Sequence, residues 1–434
     1  MTHTRTIDAD PSGPRQQGTQ SDAVLIVLLE CGRPTAGSTR HRLTALQQVT
    51  LGRGPERSAV RQGTTLELLV PDAAMSSSHA RLSLSHGRWI IEDQGSKNGS
   101  TVNGAKLRRA LLHPGDLVEA GTTLFLFDTQ PVGPFALDTT EDDAAALLDG
   151  GPTTFSSTFA THLSLFGHAA KQPFPMVLQG PSGAGLQTLA RLAHQRSGRT
   201  GPLVSLSCMS LTAQQLAQGL EDAARGTLLL GELSELAPAL QLALLEHLRA
   251  HESGREAARS ARILATSHQD LEAKVAEHVL REDLFARLSG FTARVPPLAS
   301  RRCDLGLLIA ALLRPRKGEG PRQWRFTLPA ARALVEHAWP RNLRELVQVL
   351  SLAQVAAVDG LIDVAQVPQL TPQRVAAPRP EASADDDARR DELTRLLQAH
   401  GGNVSEVARA MGKARTQVQR WLKRYGLQSE QFKR

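Results

Sequence analysis

The sequence predicts a multidomain protein with an all-β sandwich, an α/β domain and a small all-α domain, in that order along the chain. Residues 23–130 contain frequent short strand patterns punctuated by Gly, Asn and Ser, which favours a sandwich. From residue 155 onward, short apolar runs alternate with helical patterns, as buried strands and helices do around a parallel sheet. Residues 389–434 hold three short helical patterns separated by Gly.

The bulk composition is that of a soluble globular protein. A chain of 434 residues is too long for one hydrophobic core and suggests about three domains at roughly 150 residues each. With 41% hydrophobic and 21% charged residues, the chain resembles neither a disordered nor a membrane protein. The apolar run from Val24 to Leu29 is too short to cross a bilayer. Residues 1–22 are polar and lack an export signal, so we expect a disordered N-terminus, a cytoplasmic location and no membrane partner.

Basic residues concentrate at the C-terminal end. The net charge is +7, and residues 389–434 carry eleven Lys or Arg against four Asp or Glu, so this segment is the candidate for binding a polyanion. The three cysteines, Cys31, Cys208 and Cys303, are too few and too far apart for a disulfide framework or a zinc site. We expect them to be packing residues, and we predict no metal site.

Two polar stretches divide the chain. Residues 131–154 follow the last strand pattern of the sandwich and contain the run DTTEDDAAALLDGG, which is rich in small and acidic residues. Residues 373–388 are rich in Pro, Ala and acidic residues and lack apolar periodicity. Both stretches are predicted linkers, and the second is expected to be flexible.

Three clusters in the sandwich carry a phosphate-binding signal: Gly52–Arg53, Ser76–His79 and Asp93–Gly104. A guanidinium gives bidentate, charge-assisted hydrogen bonds to phosphate, and a Ser hydroxyl donates without adding negative charge. The order and spacing of the clusters resemble the forkhead-associated (FHA) domain. This resemblance implies a partner protein that carries phosphothreonine, and a binding site for it formed by Arg53, Ser76, Ser77, Lys97 and Asn98.

This sequence departs from the FHA pattern at one position, since the family often has Arg where this chain has Ser77. A lower affinity is therefore expected. His79 is expected to support the loop rather than contact the ligand. The alternative interpretation is that the sandwich is only an interaction platform whose basic and Ser-rich loops are solvated turns.

A second anion-binding signal lies at Gly180–Gln187, which reads GPSGAGLQ directly after the apolar run FPMVLQ. This is where a P-loop joins a strand to a helix. A working P-loop needs a Lys after its last Gly to reach the terminal phosphates, and this position is Leu186. Losing that ammonium removes a charge-assisted bond of roughly 1.5 to 3 kcal/mol. We therefore expect no cofactor, or at most weak ATP binding.

The surrounding segments RILATSHQDL, LREDLFARLSGFTARVPPLASRRCDL and WPRNLREL resemble NtrC-type sigma-54-dependent AAA+ activators. The resemblance implies a P-loop NTPase-like AAA+ domain over 155–312 and a helical lid over 313–372. It implies that Gly231 stands where the family has a magnesium-binding Asp, while Glu232 is retained. The family's GAFTGA loop has no counterpart. The degenerate nucleotide site then comprises Gly180, Gly183, Gly185, Leu186, Gln187, Gly231, Glu232, Arg281, Arg287 and Arg344.

Two of these arginines have two interpretations. On family grounds Arg281 and Arg287 match arginines that act on the neighbouring subunit of a ring, and Arg344 matches the lid arginine. The surviving pair either makes ring contacts or forms ordinary surface ion pairs. With no ammonium at Leu186 and no carboxylate at Gly231, no catalytic residue is assigned and no ATPase activity is expected.

The C-terminal helices carry a DNA-binding signal. Asn403 and Glu406 have the spacing of a capping box, and apolar residues recur at three and four spacing in the second helix. Val418, Leu422 and Tyr425 form the predicted buried stripe of the third. The pattern resembles the Fis-type helix-turn-helix, which implies double-stranded DNA as partner. Base contacts are expected from Arg415, Gln417 and Gln419, and phosphate contacts from Thr416, Arg420, Lys423 and Arg424.

Three functions remain open on the sequence. The first is a phosphorylation-responsive, sequence-specific DNA-binding transcription regulator that forms a homo-oligomer, a dimer or a ring. The second is an active sigma-54-dependent ATPase that acts on RNA polymerase or its sigma factor, which Leu186 and Gly231 oppose. The third is a scaffold or antagonist that binds other activators through its AAA+-like surface. The alternative for the basic C-terminal helices is that they pack on the core.

Overall fold

The computed structural model describes residues 21–132, 138–140, 143, 153–250, 260–315, 320, 322–368, 370, 392–413 and 415–425. The predicted disorder of residues 1–20 and the predicted linker 373–388 lie outside these ranges. The first strand begins at Ser21, two residues before the boundary expected from the sequence. In the described part of the chain, no helix is both long enough and apolar enough to span a membrane.

The N-terminal domain is a sandwich of two six-stranded sheets. One sheet has the order β2-β1-β12-β11-β8-β9 and the other β10-β7-β6-β3-β5-β4, with β3 and β5 parallel and all other neighbours antiparallel. The strands are β1 (Ser21–Glu30), β2 (Thr39–Arg42), β3 (Gln48–Arg53), β4 (Ser58–Gln62), β5 (Thr65–Val70), β6 (Ala80–Ser85), β7 (Arg88–Asp93), β8 (Ser100–Val102), β9 (Ala105–Leu107), β10 (Arg109–Leu111), β11 (Asp116–Ala120) and β12 (Thr123–Pro131).

The second domain is built on a parallel sheet of five strands in the order β14-β15-β16-β13-β17. The alternation of short apolar runs with helical patterns that the sequence shows from residue 155 onward corresponds to these strands and the helices between them. The elements are α1 (Ser157–Ala169), β13 (Met176–Gln179), α2 (Leu186–Arg196), β14 (Leu203–Ser207), α3 (Ala213–Asp222), β15 (Thr227–Gly231), α4 (Pro238–Ala250), β16 (Arg262–Ser267), α5 (Leu271–Ala276), α6 (Glu282–Leu288) and β17 (Thr292–Arg294).

A helical lid follows the parallel sheet. It contains α7 (Leu305–Leu313), β18 (Arg325–Phe326), α8 (Leu328–Glu336), α9 (Asn342–Ala356) and β19 (Leu361–Ile362). The two short strands pair in parallel. Trp339 lies at the centre of the lid at 1% exposure, and its indole nitrogen donates to the Leu334 carbonyl at 3.1 Å. A buried polar group is thereby satisfied, as a packed core requires.

The sandwich and the lid share one hydrophobic core. Along β1, Leu25 and Val27 point into the sandwich, whereas Ile26 and Leu28 belong to a cluster that continues into α7, α8 and α9. β12 divides in the same way, since Phe125 faces the sandwich and its neighbours face the lid. Eight sandwich residues belong to the shared cluster. At roughly 1.5 to 3 kcal/mol for each buried aliphatic side chain, their burial contributes on the order of 10 kcal/mol.

Polar contacts complete the junction between sandwich and lid. Arg332 of α8 donates from Nε and Nη2 to the two Glu119 oxygens at 2.5 and 2.6 Å, and Glu119 is only 2% exposed. Gly306 of α7 lies so close to β1 that an added Cβ would stand 1.7 Å from the Leu28 carbonyl oxygen. Linked domains commonly move relative to each other, but this junction is large, apolar and ion-paired. Sandwich and lid therefore form one structural unit.

Parts of the segment between sandwich and parallel sheet are also packed. Thr139 accepts from the Arg40 amide through its hydroxyl and donates its own amide to the Arg40 carbonyl, so it extends the edge strand β2. Thr154 and Phe155 both donate to the buried carboxylate of Asp304, at 2.7 and 2.6 Å. The predicted linker 131–154 is thus anchored at both ends, and most of its other residues lie outside the described ranges.

The C-terminal domain is a three-helix bundle formed by α10 (residues 392–399), α11 (Val404–Ala410) and α12 (Arg415–Tyr425). It has its own small core, to which Leu393, Val407, Ala408, Val418 and Leu422 belong. The predicted capping box is wrong. Asn403 does cap α11 by accepting from the Ser405 amide, but Glu406 pairs with His400 at 3.3 Å.

Candidate functional site

Three loops at one end of the sandwich bring the predicted phosphate-binding residues together. Arg53 ends β3, Ser76 and Ser77 lie between β5 and β6, and Lys97 and Asn98 lie between β7 and β8. The Arg53 amide donates to the Ser76 carbonyl at 3.0 Å, and the Lys97 amide donates to Ser76 Oγ at 3.2 Å. The side chains of Arg53, Ser77, Lys97 and Asn98 are exposed. The loops therefore present a guanidinium, an ammonium, a hydroxyl and an amide to solvent.

Two residues beneath this surface fix its shape. His79 is fully buried; its Nδ1 accepts from the Ser76 amide at 3.0 Å, so the ring proton sits on Nε2 and donates to the Gly99 carbonyl at 3.2 Å. Gly52 allows β3 to approach the second loop, because a Cβ there would lie 2.0 Å from the Ser77 carbonyl oxygen. His79 supports the loops, and no atom of it is exposed for a ligand.

Asp93 organises the third loop from below. One carboxylate oxygen accepts from the Gly95 and Ser96 amides, and the other accepts from the Ser96 and Ser100 hydroxyls, all within 2.7 to 3.0 Å. Partial burial raises the pKa of Asp93, but the hydrogen bonds from Ser96 and Ser100 outweigh it, so this pKa lies below its usual value. The carboxylate is therefore ionised at neutral pH and holds Lys97 and Asn98 in position.

The P-loop lies at the carboxyl end of β13 and leads into α2. The cleft beside it has a volume of about 470 Å³. Seven of the ten residues expected at the degenerate nucleotide site line this cleft: Gly183, Gly185, Leu186, Gln187, Gly231, Glu232 and Arg344.

The two positions that should carry the phosphate and metal chemistry are apolar. Leu186 is the first residue of α2, and its side chain packs against the core around Ala184, Leu189 and Val295. Gly231 ends β15 and has no side chain to offer. The described part of the cleft therefore has neither an ammonium nor a carboxylate at these two positions.

Glu232 is held by a neighbour from the next strand. It adopts a left-handed backbone conformation with φ of 58°, and its carboxylate hydrogen-bonds to the ring Nδ1 of His268 at the end of β16. The His268 amide donates to the same carboxylate at 3.3 Å. The retained carboxylate is thus engaged by a histidine that also lines the cleft.

The lid closes directly on the P-loop. Asn342, at 2% exposure, donates from its side chain to the Ser182 carbonyl at 2.9 Å, and the Arg344 amide donates to the Gly183 carbonyl at 3.3 Å. Arg344 Nη1 reaches Ser182 Oγ at 3.5 Å. A Cβ on Gly183 would lie 2.2 Å from the Arg341 carbonyl oxygen. The first turn of α9 therefore fixes the position of the P-loop.

The remaining three predicted residues do not line the cleft. Gly180 packs against Val295, which directly follows β17, and a Cβ on Gly180 would lie 2.6 Å from the Val295 carbonyl oxygen. Arg281 makes a two-point ion pair with Asp283 at 3.0 and 2.9 Å, and this carboxylate raises the pKa of Arg281. Arg287 lies in a separate basic pocket at the opposite end of the sheet, beside Arg262. Only Arg344 of the three candidate arginines reaches the P-loop.

Three family models match consecutive parts of the chain: the FHA domain over residues 49–121, the sigma-54 interaction domain over 152–298, and the AAA+ ATPase lid domain over 299–384. The transcriptional regulatory protein GlrR of Escherichia coli is 30% identical over 346 residues, which cover 71% of this chain and 78% of GlrR. The acetoin catabolism regulatory protein of Cupriavidus necator is 32% identical over 66% of this chain, which spans 48% of that regulator.

The chain belongs to the NtrC-type sigma-54-dependent transcription regulators. Within this family it carries an FHA domain ahead of the sigma-54 interaction domain. Between the second and third strands of the sigma-54 interaction domain, residues 223–226 connect α3 to β15 and form a hydrogen-bonded turn.

In the C-terminal bundle of this regulator, α12 offers a polar face. Arg415, Gln417 and Gln419 are exposed, while Val418 and Leu422 are buried as expected. The side chains of Tyr425, Thr416, Arg420, Lys423 and Arg424 lie outside the described part of the structure. Exposed Arg and Gln side chains on a short helix are the groups that read base edges in a major groove.

The sequence did not single out three residues that shape the AAA+ cleft. His268 and Asn342 lie inside the motifs RILATSHQDL and WPRNLREL, but nothing in those motifs shows that they bond to Glu232 and Ser182. Arg191, one turn into α2, lines both the P-loop cleft and a neighbouring cavity. The sequence marks Arg191 only by its place in the helix that follows the P-loop, five residues after Leu186.

Proposed function

We propose that this protein is a DNA-binding transcription regulator that is controlled by phosphothreonine recognition and whose AAA+ domain does not hydrolyse ATP. The observation that carries the proposal is the hydrogen-bonded assembly of Arg53, Ser76, Lys97 and Asn98 on three loops of the FHA domain. The partner is a protein that carries phosphothreonine. Double-stranded DNA is the second partner, bound through α12.

The chemistry of the FHA loops suits a phosphate monoester. Phosphothreonine carries a charge of about −1.5 to −2 near neutral pH, and a guanidinium, an ammonium and a hydroxyl can each bond to its oxygens. The side-chain nitrogen of Asn98 donates to the Ala74 carbonyl at 2.7 Å. This leaves the side-chain oxygen of Asn98 free to accept from a peptide amide. Each charge-assisted bond contributes roughly 1.5 to 3 kcal/mol.

The residues of the P-loop cleft do not fit a magnesium nucleotide. The partly buried Leu186 lines the cleft, so the terminal phosphates would meet an apolar surface instead of an ammonium. Gly231 supplies no carboxylate for a metal ion, and Glu232 is bonded to His268. Phosphoryl transfer depends mainly on positioning and charge neutralisation, which these residues do not supply. We therefore propose at least tenfold weaker nucleotide binding than a complete P-loop gives, and hydrolysis near background.

Phosphopeptide binding can influence the AAA+ domain through the lid. The FHA domain and the lid share a core, and the lid bonds to the P-loop through Asn342. We propose that the FHA domain and lid move together, so that a bound partner changes how copies of this chain associate into a dimer or ring. Contact with RNA polymerase or a sigma factor, if made, uses a surface other than the missing GAFTGA loop.

Replacing Arg53 with Ala tests the proposal. The substitution removes at least one charge-assisted bond to phosphate, so affinity of the full chain for its best phosphothreonine peptide is expected to fall by roughly 30- to 100-fold. Calorimetric titration against a phosphothreonine peptide panel measures this. The matched control is Arg88→Ala, because Arg88 begins β7 at the end opposite to Asp93. Unchanged affinity in Arg53→Ala, with tight binding in both variants, would contradict phosphothreonine recognition.

Genome-wide DNA occupancy tests both recognition ends together. Wild-type protein is expected to occupy discrete sites, and Arg53→Ala is expected to change that occupancy while Arg88→Ala leaves it unchanged. Genomic occupancy that shows no discrete sites would contradict sequence-specific DNA binding by α12. Retention of DNA fragments that does not weaken as the salt concentration rises would contradict it as well.

A further inference from the structure

An exposed threonine in acidic surroundings lies in the segment that joins the sandwich to the parallel sheet. Thr140 is exposed, and the run DTTEDD around it places four carboxylates within three residues of it. The preceding residue, Thr139, is half-buried on the edge strand β2, where its hydroxyl accepts from the Arg40 amide at 2.7 Å. Thr140 is therefore presented to solvent beside the FHA domain.

Thr140 and Asp143 bond to each other. The Thr140 amide and hydroxyl both donate to Asp143 Oδ2 at 2.8 Å, and the Asp143 amide donates to Thr140 Oγ1 at 3.1 Å. The bonds from Thr140 lower the pKa of Asp143, so its carboxylate is ionised at neutral pH. A phosphate on Oγ1 would remove the hydroxyl donor and place a charge of about −1.5 to −2 next to this carboxylate. Phosphorylation would therefore break the pair and release the modified threonine.

The FHA loops offer a surface of the opposite charge. Arg53 and Lys97 are exposed on the loops, and Arg108 is exposed beside them, where its carbonyl accepts from the Asp93 amide at 2.9 Å. On the three loops, which the structure describes in full, Glu56 is the one exposed carboxylate. A phosphothreonine that is followed by acidic residues is thus complementary in charge to this surface.

The loops of the same copy are hard for Thr140 to reach. Ser100, which follows the third loop, lies level with Thr123 at the start of β12, and Pro131 ends that strand. At about 3.4 Å for each residue, Pro131 stands roughly 27 Å from that level. The chain from Pro131 to Thr140 spans at most about 32 Å when it is fully extended. Binding within one copy would use nearly all of this length, whereas a second copy has no such restriction.

We infer that Thr140 is a phosphorylation site and that its phosphothreonine binds the FHA loops of a second copy of this chain. The inference rests on the proposed phosphothreonine recognition and names the partner protein. A serine/threonine kinase supplies the phosphate from ATP. Thr140 Oγ1 bonds to the γ-phosphorus, the bond from that phosphorus to the bridging oxygen breaks, ADP leaves, and the hydroxyl proton passes to a base of the kinase.

The proposed contact joins unlike surfaces of the two copies. Each copy has one Thr140 and one set of FHA loops, so the contacts run head to tail. Head-to-tail contacts build a ring when the rotation closes and an open chain when it does not. Phosphorylation would then control how many copies of the DNA-binding bundle are held together.

Calorimetry with peptides of residues 134–147 tests recognition by the full, unphosphorylated chain. We expect the peptide with phosphothreonine at position 140 to bind at least tenfold more tightly than the unmodified peptide. The phosphopeptide that also carries Glu141→Gln, Asp142→Asn and Asp143→Asn is expected to bind roughly fivefold more weakly, because it lacks the charges that face Arg108. Arg108→Ala should weaken binding of the acidic phosphopeptide by a similar factor and leave the neutralised one unchanged.

The peptide results separate this inference from the proposed function. If no peptide of a phosphothreonine panel binds, the proposed phosphothreonine recognition is wrong. If panel peptides bind tightly and the Thr140 phosphopeptide does not, only the present inference is wrong. Equal affinity for the acidic and the neutralised phosphopeptides would contradict the charge complementarity on which it depends.

Sedimentation equilibrium of the full chain tests binding between copies. With phosphothreonine incorporated at position 140, the mass at micromolar concentrations is expected to rise above that of the unmodified chain. Arg53→Ala should abolish this rise, and Arg88→Ala is the matched control that should retain it. An unchanged mass would contradict the inference, whether the phosphothreonine binds its own copy or binds nothing. A rise that persists in Arg53→Ala would place the contact elsewhere and contradict it as well.

Mass spectrometry tests the modification itself. In protein isolated from its own cells, the self-associated fraction is expected to carry phosphate on Thr140. A self-associated fraction whose phosphate lies only on other residues would contradict the assignment of Thr140.

Discussion

The FHA loops and the P-loop are two sets of glycine-containing loops in one molecule that carry different side chains. Both follow β-strands, and both use glycines at positive φ, such as Gly95 and Gly99 at 75° and 76° and Gly183 and Gly185 at 78° and 102°. The FHA loops keep their charged and donor side chains in solvent. The P-loop keeps its backbone shape but has the partly buried Leu186 packed against the core. Backbone shape therefore depends on packing, whereas ligand chemistry depends on a few side chains that can change without disturbing it.

The two loops are also supported differently. Asp93 and His79 hold the FHA loops from inside the sandwich, which leaves the outer surface open. The P-loop is held from outside by the lid, through Asn342 and the backbone of Arg344. Because that lid shares its core with the FHA domain, the support of the P-loop is linked to the FHA domain.

The largest expected effect comes from adding a methyl group to Gly183 of the P-loop, and the same change at Gly95 of the FHA loops is the comparison. Gly183→Ala places an alanine in a left-handed backbone conformation. Before any relaxation, its Cβ would lie 2.2 Å from the Arg341 carbonyl oxygen. We expect the free energy of local opening at the P-loop to fall by about 3 kcal/mol. Gly95→Ala has the same backbone cost but open space around the methyl, so about 1 kcal/mol is expected at the FHA loop. Amide hydrogen exchange measures both. Equal effects would show that the lid does not restrain the P-loop.

A smaller effect is expected at the junction between the FHA domain and the lid. Arg332→Ala leaves the Glu119 carboxylate buried, with only the Thr101 hydroxyl still donating to it. Breaking a buried ion pair costs roughly 3 to 5 kcal/mol, and because Arg332 is one-third exposed, about 2 kcal/mol is expected here. Hydrogen exchange in α8 and β11 should rise together.

The control for that substitution is Arg325→Ala, because Arg325 is exposed in the short lid strand β18. It is expected to change the exchange rates by little. Faster exchange in α8 alone, with β11 unaffected, would contradict the shared core.

The smallest effect concerns the Asp93 carboxylate. Asp93→Asn weakens the hydrogen bonds that hold the third FHA loop, so phosphopeptide affinity should fall by roughly fivefold. Because the pKa of Asp93 is lowered in the folded protein, its contribution is present above its ordinary value of 3.8 and is lost only as the pH falls through the lower, folded value. The ratio of wild-type to variant affinity should therefore be equal at pH 7.5 and pH 6.

Glu67→Gln serves as the control for this measurement, since Glu67 is exposed on β5 away from the loops. A ratio that falls towards one at pH 6 would show that Asp93 is already protonated there and would contradict its role.

The sequence was sufficient for local structure and for the families. The strand runs, the P-loop position and the FHA clusters depend on residues close together in the chain, and the structure contains them all. The junction between sandwich and lid could not be read in this way, because Arg332 and Glu119 are 213 residues apart. One signal was present. Val24–Leu29 is apolar without alternation, which indicates a strand buried on both faces.

The predicted capping box at Asn403 and Glu406 shows that residue spacing alone can also predict a local contact wrongly. Asn403 and Glu406 have the right spacing, but the Glu406 carboxylate lies 3.3 Å from the His400 ring instead of bonding back to the Asn403 amide. The roles of the binding residues stay predictions, because spacing identifies a loop and not its ligand.

Steady-state ATP hydrolysis by the purified full chain, measured with Mg²⁺ and saturating ATP, tests the central claim most directly. We predict that the wild-type chain and its Glu232→Gln variant have the same background rate, because Leu186 and Gly231 leave the retained glutamate without a positioned phosphate or metal. Turnover that rises above background in the wild-type chain and disappears in Glu232→Gln would show that the cleft is a working ATPase and would contradict the account.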